Sequence, residues 1–415
     1  MENFIMAVPH NRTISGDDKI FGINKLAVEM AAKVGAENVI NATIGALLDD
    51  EGKLMVLPSV IETYKKLEPD EMAAYAPISG VPSFLEKVKI AAFGKYMPEA
   101  YIEAVATPGG TGAIRNTVQN YSSIGDTVLT SDWYWSPYKT ISDEIGRKIE
   151  TYTMFNESRA FNLEAFESKV NELLERQTHL VIILNAPSHN PTGYTLTSDE
   201  WDGLIHILRK SAQNQDKKIT LFLDIAYIDF AGHQDESRQF FQKFSGLPDN
   251  LFIIAGFSMS KSYTLYGMRC GAMICITQSQ AIAEEFKVVN MYSCRGTWSN
   301  GTRPAMMILN KIFEDKMLHA KVSAQRANFM DILESRGRAF LKAAKEASLE
   351  TFPFESGFFI TIPCNNAEEV GKELQKDGIF AVPIGAGIRF ALSAVSEEKC
   401  SMVPAKMAAA IEKFK

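Results

Sequence analysis

Lys261 stands in the run Phe257-Ser258-Met259-Ser260-Lys261-Ser262-Tyr263, just after the apolar stretch Leu251 to Ala255, which reads as a buried strand. Burial at the mouth of such a strand penalises an ammonium and lowers its pKa. An amine that gives up its proton readily is what Schiff-base chemistry with a carbonyl cofactor requires. Ser258 and Ser260 just upstream and the guanidinium of Arg269 downstream suit a phosphate held nearby.

Other clusters bear on the same chemistry. Gly109-Gly110-Thr111-Gly112 opens a helix pattern that runs through Tyr121. Glycines admit close approach of an anion, and free N–H groups at a helix start bind phosphate. By itself this is a tight strand-to-helix turn; with Ser258 and Arg269 it becomes a phosphate candidate. No Gly-Lys-[Ser/Thr] follows, so it is not a P-loop. Asp224 ends an apolar strand and reads equally as a helix N-cap or as the partner of a buried positive group, such as a protonated pyridine nitrogen. The turn Asn185 to Gly193 offers Asn190 as a donor to a phenolate oxygen, while His189 within it is assigned a structural role. Trp133-Tyr134-Trp135 supplies aromatic surface for packing or for a flat ring. Arg389, among small and apolar neighbours, reads as a surface ion pair or as a bidentate carboxylate clamp.

The elements that must position these residues alternate. Val105 to Thr107, Thr127 to Thr130, Leu180 to Leu184, Thr220 to Leu223 and Leu251 to Ala255 are short apolar runs, each ending in a polar cluster. Helical patterns between them argue for βα units and a largely parallel sheet. Ligands bind outside the carboxyl ends of such strands, where every cluster falls. A helical pattern covers Ile23 to Val34, and a long proline-free one covers Met317 to about Leu349. Strand-like Phe358 to Ile362, Ile379 to Val382 and Arg389 to Leu392, with helices Ala367 to Lys376 and Pro404 to Lys413, form a smaller α+β unit. The division expected is residues 1–50 as the N-terminal part of a small domain, 51–315 as a large cofactor-binding domain, and 316–415 as the C-terminal part of the small domain.

The 415 residues carry a net charge of −7, which argues against a general nucleic-acid partner. Five scattered cysteines, out of metal-ligand spacing, read as reduced thiols and a cytoplasmic location. No apolar run suits a membrane span, and Met1 to Arg12 lacks the pattern of a signal peptide.

From about Asn41 to Arg389 the motifs and their order resemble the fold-type-I pyridoxal-phosphate aminotransferases of class I, the aspartate and aromatic group. The resemblance implies an α/β fold, a mostly parallel seven-stranded sheet flanked by helices, with a smaller α+β domain from both termini. It implies pyridoxal 5′-phosphate bound through Lys261, with Asp224 on the pyridine nitrogen and Asn190 and Tyr227 on the phenolate oxygen. Gly110, Thr111, Ser258 and Arg269 would hold the phosphate. A Trp-x-x-x-Lys register picks Trp135, with Lys139, as the stacking residue, and Trp133 is its rival. Arg389 would clamp the substrate α-carboxylate, beneath a closing segment at Ile44-Gly45. Tyr75 would reach a neighbouring subunit's phosphate and Arg295 its substrate side chain, which implies a homodimer with shared active sites.

The implied activity is ping-pong transfer of an amino group between an amino acid, of aspartate or glutamate type, and a 2-oxo acid such as 2-oxoglutarate. Aromatic donors are the alternative, as is a lyase or decarboxylase on the same scaffold. A non-catalytic regulator with a retained pocket is disfavoured because no segment suits a DNA-binding module. Two departures from the family pattern stand out. Tyr138 occupies the position of a histidine that supports the aspartate, and Gly301-Thr302 replaces a proline pair after Ser299-Asn300.

Overall fold

The computed structural model describes residues 4–8, 19–232 and 234–415. Residues 1–3 and 9–12 of the stretch read for a signal peptide lie outside them. Among the described residues the strands are β1 (Ile40–Asn41), β2 (Ala104–Thr107), β3 (Thr127–Ser131), β4 (Lys148–Tyr152), β5 (His179–Asn185), β6 (Lys218–Asp224), β7 (Leu251–Ser258), β8 (Gly271–Ile276), β9 (Phe359–Pro363), β10 (Ile379–Phe380), β11 (Val382–Ile384) and β12 (Gly387–Ala391).

Seven strands form one sheet in the order β2-β8-β7-β6-β5-β3-β4. The neighbours from β4 through β7 pair in parallel, and β8 runs antiparallel to both β7 and β2. Helices cover both faces, so the central strands read as continuous apolar runs. Alternation then divides each strand between two cores. Leu180, Ile182 and Leu184 join one cluster with Phe84, Phe166 and Trp201 from helices on that side. Val181 and Ile183 join the other with Ile114, Val118 and Phe286. Strand order reverses between β3 and β5, so the ends of those strands border the crevice where such sheets hold ligands.

A third cluster gathers β9, β12 and the helices Lys316–Glu346, Ala367–Lys376 and Glu397–Glu412, together with Ala42 and Leu47. Here β11, β12 and β9 form an antiparallel sheet, while β1 pairs in parallel with β10. The single strand expected over Ile379 to Val382 is therefore two, β10 and β11, in separate sheets. The long helix begins where the Asp315 carboxylate accepts from the N–H groups of Met317 and Leu318, an N-cap that stabilises it by about 1 kcal/mol.

Candidate active site

Five strand ends meet at one cavity of about 170 Å³, and its lining includes Gly110, Thr111, Trp135, Asn190, Asp224, Tyr227, Ser258, Lys261 and Arg269. A larger groove of about 720 Å³ lies beside the helix Lys316–Glu346, but volume alone does not make it the reactive site. There Asp229 is flanked by Arg238 and Arg326, each at 2.7 Å, as a paired charge cluster.

Lys261 lies in the short helix Met259–Ser262 that follows β7, and Ser258 caps that helix by accepting from the Ser260 N–H. The lysine is half-buried, with Nζ 5.3 Å from the centre of the Tyr227 ring and 6.0 Å from that of Tyr266. Burial brings its pKa down to about 8; the Asp224 charge opposes that shift and the Arg269 charge adds to it.

Asp224 closes β6 and is buried. Its Oδ1 accepts from the Ala226 N–H at 3.2 Å and its Oδ2 from the Tyr138 hydroxyl at 2.6 Å. Burial raises its pKa, while those two bonds and the Lys261 charge work the other way. Asn185 is its register partner on β5, donates Nδ2 to the Asp224 carbonyl at 2.8 Å, and accepts from the Asn190 N–H through Oδ1. Asn190 is thereby anchored to the strand that neighbours Asp224. Its Nδ2 lies 3.4 Å from the Tyr227 hydroxyl, and its buried Oδ1 has no hydrogen-bond partner among the described residues. His189 is buried against Thr192 at 2.9 Å, and burial lowers its pKa to about 3, so it is neutral and structural, in line with the sequence reading.

At the opposite end of the cavity the helix Gly109–Asn120 presents its first turn, whose N–H groups have no partner within the helix. The backbone comes close here: a Cβ on Gly109 would sit 2.8 Å from Arg269 Nη2. Arg269 itself is exposed at the rim, donating to Ser260 Oγ at 3.2 Å and to the Tyr266 carbonyl at 3.0 Å. Its left-handed backbone, φ 49°, costs about 1 kcal/mol, a strain of the kind held at functional sites.

The two tryptophans separate. Trp135 lines the cavity with its edge against Tyr138, whereas Trp133 packs on Phe352 on the other side of the sheet. Arg389 is buried beside the cavity, donating Nη2 to the Thr43 carbonyl at 2.6 Å with its guanidinium 4.5 Å from the Phe359 ring centre. Its charge is felt at Tyr227. Gly45 lies against the same ring: a Cβ there would be 2.4 Å from Phe359 Cζ. Tyr75 is 87% exposed, and Arg295 is exposed with Nη1 on Ser299 Oγ at 2.7 Å. Neither lines this chain's cavity. Sequence reasoning passed over Asn185 and Tyr266; the signal for Asn185 was its place at a strand end opposite Asp224.

The donor set brings N–H groups, a serine hydroxyl and a guanidinium near one another, with an amine that feels the charges of both Arg269 and Asp224, an unsatisfied amide, and the Asp224 carboxylate. Pyridoxal 5′-phosphate carries a phosphate, a carbonyl with a neighbouring phenolate, and a ring nitrogen, and the orphaned Asn190 Oδ1 marks a polar position left for a ligand. The residues present fit that group.

The model of the class I and II aminotransferases matches residues 37–405. The chain is 25% identical over 398 residues to an aspartate aminotransferase of Escherichia coli, covering 90% of this chain and 93% of the relative. It is 24% identical over 360 residues to a tyrosine aminotransferase of Klebsiella pneumoniae, covering 83% and 87%. A solved aminotransferase from Anaerococcus prevotii superposes with a TM-score of 0.96 at 41% identity, over 98% of this chain and all of that one. An aromatic-amino-acid aminotransferase from Burkholderia pseudomallei, solved covalently bound to pyridoxal phosphate, has a TM-score of 0.79 at 21% identity, over 98% of this chain and 100% of that one.

Proposed function

The chain belongs to the class I and II aminotransferases, enzymes that use pyridoxal 5′-phosphate with amino acid and 2-oxo acid substrates, and from that premise we propose which of its residues do the work and on what substrate. The observation that carries the reading is the convergence of Lys261, Asp224 and Asn190 on one cavity from three separate strand ends.

Gly110, Thr111, Ser258 and Arg269 hold the cofactor's phosphate, and Trp135 covers a face of its ring. Asn190 and Tyr227 hold the phenolate oxygen, and Asp224 pairs with the ring nitrogen. When bound, the cofactor supplies an electrophilic carbonyl and a protonated ring that takes up an electron pair. Lys261 Nζ would anchor it and, as a free amine, would remove the substrate's Cα proton. Burial serves that step, because a pKa brought near 8 leaves an appreciable fraction of neutral amine close to physiological pH. Arg389 holds the α-carboxylate by its planar fork, with Gly45 and its neighbours closing over it. The donor's oxo acid leaves before the acceptor enters, which makes the scheme ping-pong.

Aspartate or glutamate is the donor and 2-oxoglutarate the acceptor in this reading. Arg295, which does not line its own chain's cavity, reaches into a neighbouring subunit's pocket to pair with the side-chain carboxylate, and Tyr75 reaches the neighbouring phosphate. Both are exposed in the single chain, as such residues must be. The functional unit is thus a homodimer, each chain divided near residues 50 and 315 into a small and a large domain. Aromatic donors are the second reading, favoured by the likeness to a tyrosine aminotransferase.

The test is stoichiometry: aspartate with 2-oxoglutarate yields oxaloacetate and glutamate in equal amounts. Release of ammonia or carbon dioxide in place of glutamate would instead identify a lyase or decarboxylase.

A further inference from the structure

We propose that Tyr138 is a positioning residue for the reaction, its hydroxyl holding the Asp224 carboxylate ionised and aimed at the cofactor's ring nitrogen. The proposal rests on the reading above that Asp224 faces that nitrogen.

The bond is direct, 2.6 Å from the Tyr138 hydroxyl to Asp224 Oδ2, and both residues are buried, at 1% and 6% exposure. Tyr138 is the second residue of the helix Pro137–Glu144, and its N–H donates to the Trp135 carbonyl at 2.9 Å. One tight turn therefore brings the Trp135 ring to the cavity wall and the Tyr138 hydroxyl to the carboxylate. The tyrosine ring is clamped between Tyr134, stacked at 6.4 Å, and the edge of Trp135 at 5.6 Å, so the hydroxyl has little freedom to leave.

Burial and the Asp224 charge both disfavour the phenolate, so the phenol remains a neutral donor. A neutral donor is suited to this position. It stabilises the carboxylate against burial without adding a second positive charge that would compete with a ring N–H for it. Each Asp224 oxygen takes one protein donor, Ala226 N–H on Oδ1 and Tyr138 on Oδ2, and each keeps a lone pair for the ligand. Without the hydroxyl, Oδ2 is left in a buried site with no protein donor. The carboxyl then shifts toward its neutral form and loses its hold on a ring proton.

The experiment strips the full chain of cofactor and titrates it with pyridoxal 5′-phosphate and with the analogue in which C–H replaces the ring nitrogen. The ratio of the two dissociation constants reads the ring-nitrogen contact alone. Tyr138→Phe is expected to weaken binding of the natural cofactor about tenfold, the scale of losing a hydrogen bond to a charged group, and to leave the analogue unchanged. In an Asp224→Asn background the ratio is already lost, and Tyr138→Phe changes it no further. A Tyr138→Phe protein with the wild-type ratio overturns the proposal, as does equal weakening toward both ligands, which marks a packing role only. A wild-type ratio in Asp224→Asn alone refutes the reading of Asp224 itself, a separate failure. If Tyr138→Phe does not fold, Tyr138→Leu, which keeps an apolar side chain at that place and offers Asp224 no donor, is read by the same ratio: a fall confined to the natural cofactor supports the proposal, and the wild-type value overturns it.

Discussion

The hydroxyl of Thr361 donates to the Pro191 carbonyl at 2.7 Å, and on the neighbouring strand Thr361 pairs in register with Arg389. One buried hydroxyl therefore joins β9, the strand paired with the one that carries Arg389, to the turn that carries Asn190. Thr361→Val keeps the volume and removes that donor, at a cost of about 1–3 kcal/mol. It should weaken both cofactor binding and the donor KM, and Thr361→Ser should restore them. Urea unfolding and steady-state kinetics on the three proteins check this.

Gly109 carries a positive φ of 67° and leaves no room for a Cβ beside Arg269. Gly109→Ala should cost about 1 kcal/mol in backbone strain and push the guanidinium off its place at the rim. The expected outcome is weaker cofactor binding with only a small fall in melting temperature. Titration of cofactor-free protein, with melting measured in parallel, separates the two effects.

These positions show how much the sequence revealed. The apolar strands β5, β6 and β7 were legible because both their faces are buried, so no charged residue interrupts their interiors. The sheet-edge strand β4, Lys-Ile-Glu-Thr-Tyr, was not, since four of its five side chains keep some solvent contact and no apolar run forms. β8, Gly-Ala-Met-Ile-Cys-Ile, went unread because it follows the Lys261 segment directly and returns antiparallel, without the intervening helix that marked the other strands. Nine of the residues expected at a cofactor line one cavity because strand ends are visible in sequence and converge by topology. The choice between Trp133 and Trp135 was not legible, because it depends on which face of the sheet each ring joins. For Tyr75 and Arg295, sequence cannot say whether a residue serves its own chain or another.

Lys261 should make the stability of the cofactor-free protein depend on pH in an identifiable way. In the unfolded chain the lysine keeps its proton to about 10.5, and in the folded chain to about 8. Below pH 8 both states are charged, and the full penalty of the buried ammonium stands. Between pH 8 and 10.5 the unfolded state binds more protons, so this contribution to stability rises with pH and the penalty vanishes. Lys261→Met should therefore be more stable than wild type below pH 8, with a gap that closes toward pH 10.5. A gap that stays constant across that window would mean that the lysine titrates normally.

Arg295→Ala separates the two substrate readings. If the guanidinium meets a side-chain carboxylate, kcat/KM for aspartate should fall by about two orders of magnitude, the scale of truncating one partner of a buried charge pair. Aromatic donors should change little. Unchanged aspartate turnover would remove the dicarboxylate assignment and leave the aromatic one.

The most direct measurement is borohydride reduction of the holoenzyme followed by peptide mapping. A covalent adduct of pyridoxal phosphate confined to the peptide containing Lys261, and absent from Lys261→Ala, is the predicted result. An unlabelled Lys261, or label spread over other lysines, would contradict the account at its centre.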